Sequence, residues 1–292
     1  MYVYTFFMAY ASVTASEILE SSARKGPKKF LLSLDTSGFL KIRNAISEST
    51  IYDLKQTLSD LKKSDFFSPG ISKKGMGKFR YLHLNCNLFN IVCSDYIKLV
   101  LKEIIGDFFR LDHAWGIKDN GVYRNNLHGG EHSGQGAMFF HQHMSSNKLS
   151  AGVITVGVVI DGVNRRESGG FVFLPGSHKL STIRTGSGIF NLLNGNLYDE
   201  MLVHPELNPG DMVIFPECLV HGTSAMKHGQ RTVLYYSFVP GYMRIKNDFP
   251  IEELRELYGD TPYKKMILGD AYAIKSESAE NGQIWRSPSA ST

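Results

Sequence analysis

From about residue 110 to 245, the chain is a series of short β-type segments joined by turn residues, with no helix-type segment between them. A continuous apolar run, AGVITVGVVI at 151–160, has the composition of a buried strand and ends in the turn sequence DGVN. Similar segments follow at 169–177, 210–216 and 231–240. Strands that succeed one another without crossover helices form antiparallel structures. The sequence therefore predicts a mainly β fold with flanking helices, in a sandwich, barrel or jelly roll rather than a doubly wound sheet.

Two amphipathic helices are predicted in the first third of the chain. Ser94 is a good N-cap for the second of them, and Gly106 ends it. Apolar residues recur at helical spacing in both, after Ser49 at Ile51, Leu54, Leu58 and Leu61, and after Ser94 at Ile97, Val100, Leu101, Ile104 and Ile105. Such stripes indicate helices that pack against a core rather than bind a cofactor.

One domain, 1–292, is the simplest organisation, because the chain contains no internal repeat and no linker-like stretch. Its helical N-terminal part spans about 1–110 and its β core about 111–245. A helix at 251–259 and a polar, serine-rich tail from about Lys275 make up the C-terminal part, 246–292.

The charge of the chain argues against nucleic acid as a partner. Lysine and arginine number 32 against 28 acidic residues, so the formal net charge is only +4 and its basic residues are scattered. A modest positive bias suits an anionic small substrate. No apolar run reaches the roughly 18 residues of a membrane span, so a membrane is excluded as well. Nothing in the sequence sets the oligomeric state.

Three cysteines, in neither a zinc spacing nor a disulfide framework, favour a reducing compartment, and we predict a cytoplasmic protein. The apolar start at 1–18 has no lysine or arginine in its first residues, unlike a signal peptide. We interpret it as a folded N-terminal segment; the alternative is a targeting remnant.

A His-x-His pair lies within FFHQHM at 139–144. On a strand, His141 and His143 point to the same face, where they can share a metal ion with a third ligand from a neighbouring strand. The alternative for such a pair is one core histidine and one surface histidine. The pair alone does not decide between them.

A second pair of functional candidates follows downstream, in GDMVIFPECLVHG and the next strand. His221 follows a strand and a short turn, and Arg231 begins the strand after it. A guanidinium inside an apolar β structure needs an anionic partner, and its planar fork suits a carboxylate. A metal ligand beside a carboxylate anchor is typical of a site that chelates a keto acid.

These motifs together resemble the phytanoyl-CoA dioxygenase-like branch of the iron(II)/2-oxoglutarate oxygenases. The resemblance covers roughly 80–245 and rests on GGFVFLPGSHK, PGDMVIFPECLVHG with Arg231, and NNLHGG at 125–130. It implies a double-stranded β-helix, a jelly-roll core wrapped by helices. It also implies an enzyme, a non-haem iron dioxygenase that uses Fe(II), 2-oxoglutarate as co-substrate and O2.

The resemblance also assigns roles to individual residues. His141 matches the first metal ligand and His221 the distal one, while Arg231 pairs with the far carboxylate of 2-oxoglutarate. Thr232 and Asn126 are further cofactor-binding candidates. His178, in the PGSH turn, matches a residue that folds the turn rather than a ligand.

The chain departs from the family at position 143. The family has an aspartate or glutamate two residues after the first ligand, and this chain has His143, which leaves the metal one unit more positive. His143 itself ligates in the prediction that we favour, which gives a three-histidine site. The alternatives are a vacant position for water, halide or substrate, an inactive descendant, or a carboxylate from elsewhere, namely Glu131, Asp161 or Glu217.

Residues upstream of the metal motif are candidate substrate contacts. They are Arg80, Tyr81, His83, Asn126 and His128. Arginine and histidine fit a carboxylate-bearing, amino-acid-derived metabolite, which the enzyme hydroxylates or oxidatively cyclises in specialised metabolism. The rivals are a silent jelly-roll protein that binds a metabolite or 2-oxoglutarate, and a three-histidine dioxygenase that needs no keto acid.

Overall fold

Antiparallel strands from residue 109 onwards, joined by short strands from the N-terminal part, build the core. The computed structural model describes residues 10–23, 28–62, 65, 76–119, 125–129, 142–145, 148–162, 168–179, 200–224, 226–227, 229–246, 249–273 and 285–286. The strands are β1 (Ser12–Thr14), β2 (Leu40–Arg43), β3 (Met76–Phe79), β4 (Phe109–Asp119), β5 (Asn125–His128), β6 (Gln142–Ser145), β7 (Lys148–Ala151), β8 (Ile154–Asp161), β9 (Phe171–Phe173), β10 (Met212–Pro216), β11 (His221–Thr223), β12 (Arg231–Pro240), β13 (Tyr272–Ala273) and β14 (Trp285–Arg286). The helices are α1 (Ala15–Ser22), α2 (Lys29–Thr36), α3 (Glu48–Ser59), α4 (Cys86–Asn90), α5 (Asp95–Ile105), α6 (Ile251–Tyr258) and α7 (Pro262–Ile267).

Two sheets carry the fold in the described part of the chain. The larger has the strand order β1-β2-β10-β8-β12-β4-β3, and the smaller has the order β5-β11-β9. Pairing in the centre of the larger sheet is antiparallel, with Tyr235 of β12 opposite Trp115 of β4 on one side and Gly157 of β8 on the other. Strands β6 and β7 form a separate hairpin.

Strand alternation separates two apolar layers. From β12, Val233 and Tyr235 pack with Phe171 and Phe173 of the smaller sheet, so these side chains fill the interior between the two sheets. Residues of the opposite parity, such as Leu234, face a second apolar layer that includes the helices. The interior between the sheets is therefore the space in which a buried site can form.

The predicted elements are present, with differences at their ends. Strand β12 spans 231–240 as predicted, and α6 ends one residue before the predicted helix. Strand β8 begins at Ile154 rather than at 151, because Ala151 ends the β6–β7 hairpin. The predicted strand at 169–177 is shorter, because its last residues form the Pro-Gly-Ser-His turn.

Both predicted amphipathic helices form, as α3 and α5, and a serine occupies the N-cap position of each. Helix α3 is capped by Ser47, whose hydroxyl accepts from the amide of Thr50 at 3.2 Å. Ser94 occupies the N-cap position of α5, yet its hydroxyl donates to the carbonyl of Ile91 and makes no cap bond.

The N-terminal part contains helices, and it also contributes strands to the larger sheet. Strands β1 and β2 form one edge of the larger sheet and β3 forms the other. Of the apolar start, residues 1–9 lie outside the described residues, and 10–18 lead into β1 and α1. Most of the polar tail also lies outside them. No described helix is long and apolar enough to cross a membrane.

A buried histidine fixes the turn after β9. His178 is almost fully buried, and its Nε2 is 3.0 Å from the carbonyl oxygen of Asp35 in α2. Gly38 lies against the same ring with φ of +86°, and a Cβ at this glycine would lie 2.5 Å from His178 Nδ1. The turn and the end of α2 are therefore closely packed.

Gly38→Ala is expected to lower the free energy of unfolding by about 2 kcal/mol or more, because a left-handed backbone and an overlap act together. Denaturant unfolding measures the change. Gly229 has the same φ of +86° but no atom within 4 Å of an added Cβ, so Gly229→Ala isolates the backbone contribution, about 1 kcal/mol. Equal losses in the two variants would contradict the packing at His178.

Asp112 is a buried carboxylate that ties β4 to the segment after β12. Its Oδ1 accepts from Arg110 at 3.3 Å and from the amide of Ile245 at 2.8 Å. Its Oδ2 accepts from His113 Nδ1 at 2.8 Å and from the amide of Lys246 at 3.1 Å. Burial alone raises the pKa of this carboxyl, but the bonds from His113 and Ile245 and the nearby charges outweigh burial and lower the pKa.

Asp112→Asn is expected to destabilise the fold by about 3 kcal/mol at neutral pH, because it leaves the buried Arg110 guanidinium without its charged partner. The folded carboxyl has a lower pKa than the unfolded one, ordinarily 3.8, so its contribution is complete above that value. The contribution is lost as pH falls from there through the folded pKa. Stability measured against pH should therefore fall less steeply at acid pH in the variant; parallel acid limbs would contradict this role.

Candidate functional site

His221, the first residue of β11, lies inside the space between the two sheets. It is opposite Phe173 of β9 and His128 of β5 in the smaller sheet. Its ring centroid is 4.7 Å from that of Phe215 and 4.3 Å from that of His128. Only 7% of the residue is exposed. The imidazole therefore lies in a largely dry, aromatic surrounding.

The orientation of the His221 ring is fixed by one hydrogen bond. Its Nδ1 is 2.7 Å from the carbonyl oxygen of Leu219, and because a carbonyl only accepts, Nδ1 carries the proton. In the neutral ring, the lone pair is then on Nε2. Metal-binding histidines are commonly oriented in this way, with the remote nitrogen bonded to a carbonyl and the other free for the ion.

A carboxylate faces the free nitrogen of His221. Glu217 Oε2 is 3.7 Å from His221 Nε2, and the Glu217 side chain is 21% exposed. Its other oxygen, Oε1, accepts from the hydroxyl of Thr155 on β8. The Thr155 hydroxyl is itself 3.2 Å from the hydroxyl of Ser237 on β12. The Glu217 carboxylate is thus held by Thr155, whose hydroxyl is in turn in contact with Ser237 on the neighbouring strand.

A row of polar residues continues this arrangement across the larger sheet. Ser237 pairs with Thr155 on one side and with His113 of β4 on the other. His113, on the interior face, donates from Nδ1 to the buried Asp112, which orients its ring. The interior is therefore polar at this end of the sheet and apolar further along, at Tyr235 and Val233.

Arg231, at the start of β12, is a buried cation on the same interior. It is 1% exposed, one of its terminal nitrogens donates to the carbonyl of Gly169, and its Nε has no partner among the described residues. No described acidic side chain makes an ion pair with it. A buried guanidinium without an anion is costly, so this position favours an anionic ligand.

The two groups lie along one interior. His221 is opposite Phe173, and Arg231 reaches Gly169, four residues earlier in the chain. Phe171 and Tyr235 line the interval. A histidine and a buried arginine are thus on the same interior between the two sheets.

The structure brings only some of the predicted site residues together. His128 lies beside His221, and Arg231 lies in the same interior. Thr232 is on the opposite face of β12 from Arg231, so it is not placed to help bind the same anion. Thr232 was predicted to bind the cofactor beside Arg231 without regard to strand alternation, which puts adjacent side chains on opposite faces.

Arg80 and His83 follow the edge strand β3, and both side chains are exposed. The Nε2 of His83 is 3.8 Å from Oδ1 of Asp65. Tyr81, between them, is buried and donates to the carbonyl of Tyr235. The structure therefore does not bring Arg80 and His83 to His221, and it gives Tyr81 a packing role.

The His-x-His pair is only partly described. His141 lies outside the described residues, as does Glu131. His143 lies in β6 and Asn126 in β5, and of these two the backbone alone is described. Asp161 pairs with Lys55 at 3.0 Å and accepts from Gln230, so it is not at the site. In the described chain, no three histidine, cysteine or acidic side chains form a cluster that could hold a metal.

Three polar residues of the site were not predicted from sequence, namely Thr155, Ser237 and His113. One signal was available: residues 231, 233, 235 and 237 share one face of β12, which puts Ser237 on the face of Arg231. Thr155 and His113 follow only from strand pairing, which the sequence does not give.

Comparison with known proteins identifies a family. The phytanoyl-CoA dioxygenase (PhyH) family profile matches residues 34–232, more than half of the chain. No curated protein sequence matches.

Solved structures match over most of the chain. HygX from Streptomyces hygroscopicus, with nickel, 2-oxoglutarate and hygromycin B bound, is 20% identical with a TM-score of 0.65, covering 79% of this chain and 94% of that one. HygX with iron bound is 19% identical with a TM-score of 0.63, covering 80% and 94%. The epimerase SnoN, in complex with Fe3+, alpha-ketoglutarate and nogalamycin RO, is 17% identical with a TM-score of 0.55, covering 84% and 92%. These similarities confirm the predicted jelly-roll fold class.

Proposed function

Because the chain belongs to the phytanoyl-CoA dioxygenase (PhyH) family of non-haem iron and 2-oxoglutarate oxygenases, we propose that its interior binds iron at His221 and 2-oxoglutarate at Arg231. Family membership confirms the predicted enzyme class and its use of Fe(II), 2-oxoglutarate and O2. The observation that carries the assignment of residues is the pair of groups described above. A histidine whose Nδ1 is bonded to a carbonyl and a buried arginine that makes no ion pair with a described acidic side chain lie on the same interior between the sheets.

The residues present fit the metal. His221 offers Nε2 to an ion, and the aromatic surrounding formed by Phe215 and Phe173 limits the access of water. His141 is the second ligand by resemblance, and the candidates for the third position are His143 and a carboxylate from elsewhere in the chain. When bound, the iron and the keto acid activate O2 to remove a hydrogen from the substrate.

The residues present also fit the keto acid. The guanidinium of Arg231 is held by its bond to Gly169, in the turn before β9, so it is oriented before a ligand arrives. It can donate two parallel charge-assisted bonds to the far carboxylate of 2-oxoglutarate. The apolar interval between Arg231 and His221 then holds the carbon chain of the ligand. Asn126 is a further contact in this proposal.

For the substrate, we propose a small polar metabolite that bears a carboxylate and derives from an amino acid. The net charge of +4 and His128 beside the metal position support an anionic group. HygX and SnoN were solved with hygromycin B and nogalamycin RO, which are small molecules. The proposed reaction is hydroxylation or oxidative ring closure in specialised metabolism.

Release of succinate from 2-oxoglutarate tests this function. The purified protein, supplied with Fe(II) and O2, is expected to form succinate slowly without substrate and faster with its substrate. Chelation of the metal should abolish the release. If the protein binds 2-oxoglutarate but forms no succinate with any carboxylate-bearing metabolite that is tested, it is instead a binding protein without turnover.

A further inference from the structure

We infer that Glu217, rather than His143, supplies the third ligand of the metal site, and so restores the carboxylate that the His-x-His pair lacks. The inference rests on the proposed function, because it concerns the same metal. Its starting point is the position of Glu217 Oε2, 3.7 Å from His221 Nε2.

The distance suits a shared ion better than a direct bond. At 3.7 Å, the two atoms are too far apart for a hydrogen bond. Two ligand atoms that are each about 2.1 Å from one ion lie about 3.0 Å apart at a right angle and about 3.4 Å apart at a tetrahedral angle. A closure of a few tenths of an ångström therefore brings both atoms onto one metal.

The other contacts of both residues leave these two atoms available. His221 uses Nδ1 for the carbonyl of Leu219, and Glu217 uses Oε1 for the hydroxyl of Thr155. Ligating carboxylates and histidines are commonly oriented by such outer bonds. No described lysine or arginine forms an ion pair with Glu217, so its charge is not used elsewhere in the described chain.

The charge of the proposed ligands also favours Glu217. Three neutral histidines leave the full charge of a divalent ion uncompensated before the keto acid binds. With His141, His221 and Glu217 as ligands, the site has one negative charge, the same as two histidines and one aspartate. Of the three carboxylates considered from sequence, Asp161 is engaged by Lys55, and Glu217 is the one that the described structure places against a ligand.

Cobalt(II) binding to the metal-free protein tests the inference without reference to activity. Its affinity and visible spectrum report the ligands directly. Glu217→Gln keeps the size of the side chain and an acceptor for Thr155, but loses the charge. It is expected to weaken cobalt(II) binding at least about tenfold and to change the spectrum. Asp161→Asn, which removes a carboxylate outside the site, is the matched control and should bind as wild type.

Two further variants complete the test. Thr155→Val removes only the hydroxyl that orients Glu217, so it is expected to weaken cobalt(II) binding less than Glu217→Gln does. If Glu217→Gln fails to fold, Thr155→Val takes its place in the test. His143→Ala is expected to weaken binding less than Glu217→Gln. If His143→Ala abolishes binding while Glu217→Gln and Thr155→Val match wild type, the inference is wrong and the three-histidine site stands. If wild type binds no cobalt(II), the proposed function fails with it.

Discussion

Arg231→Ala is expected to weaken 2-oxoglutarate binding to the metal-loaded protein by about 100-fold or more. The guanidinium is 1% exposed and its Nε has no described partner, so the carboxylate of the ligand is the group that would satisfy it. A hydrogen bond to a charged group contributes about 1.5–3 kcal/mol. Two parallel bonds to one carboxylate together contribute more than one such bond. Anaerobic calorimetric titration of the protein with 2-oxoglutarate measures the loss.

Two controls separate the carboxylate anchor from general charge and from folding. Arg231→Lys keeps the charge but not the planar fork, so its affinity should lie between those of wild type and Arg231→Ala. Arg43→Ala removes an arginine whose side chain is 48% exposed and should leave the affinity unchanged. Metal affinity should be the same in all of these variants. Wild-type affinity in Arg231→Ala would show that the keto acid binds elsewhere.

His221→Ala is expected to reduce metal affinity by at least about 100-fold, because it removes a ligand itself rather than an outer contact, whose loss costs about 10- to 100-fold. The ring is already oriented by the bond from Nδ1 to Leu219, so the wild-type protein binds without rearranging this residue. Titration of the metal-free protein with cobalt(II) or manganese(II) gives the affinity.

The matched control for adventitious binding is Cys86→Ala, which removes an exposed thiol, a common soft ligand. Its metal affinity should equal that of wild type. Unfolding curves of His221→Ala should show a folded protein, because the ring can be replaced without leaving a buried charge. Undiminished metal affinity in a folded His221→Ala protein would place the metal outside this interior.

Much of the fold was predictable because local patterns and tertiary structure agree. The β-branched and aromatic residues at 231–240 predict a strand, and β12 has those bounds. The apolar stripes gave α3 and α5. The caps were less predictable, because Ser94 has a competing acceptor, the carbonyl of Ile91, that only the folded chain brings close.

The sequence singled out His221 and Arg231, and the structure places both residues, buried, on the interior between the sheets. The site was not predictable where contacts join distant strands. Glu217, Thr155 and Ser237 meet through pairings that span more than sixty residues, and no spacing in the sequence records them. Resemblance to the family suggested Thr232, but alternation along β12 puts its side chain on the face away from Arg231.

The most direct test of a joint metal and keto-acid site is the visible charge-transfer band that forms when 2-oxoglutarate chelates Fe(II). The metal-free protein is loaded with Fe(II) under anaerobic conditions and titrated with 2-oxoglutarate. We expect the band in wild type, its absence in His221→Ala, and its appearance in Arg231→Ala only at much higher 2-oxoglutarate. A wild-type protein that binds both Fe(II) and 2-oxoglutarate without the band would show that they do not meet in the interior between the sheets.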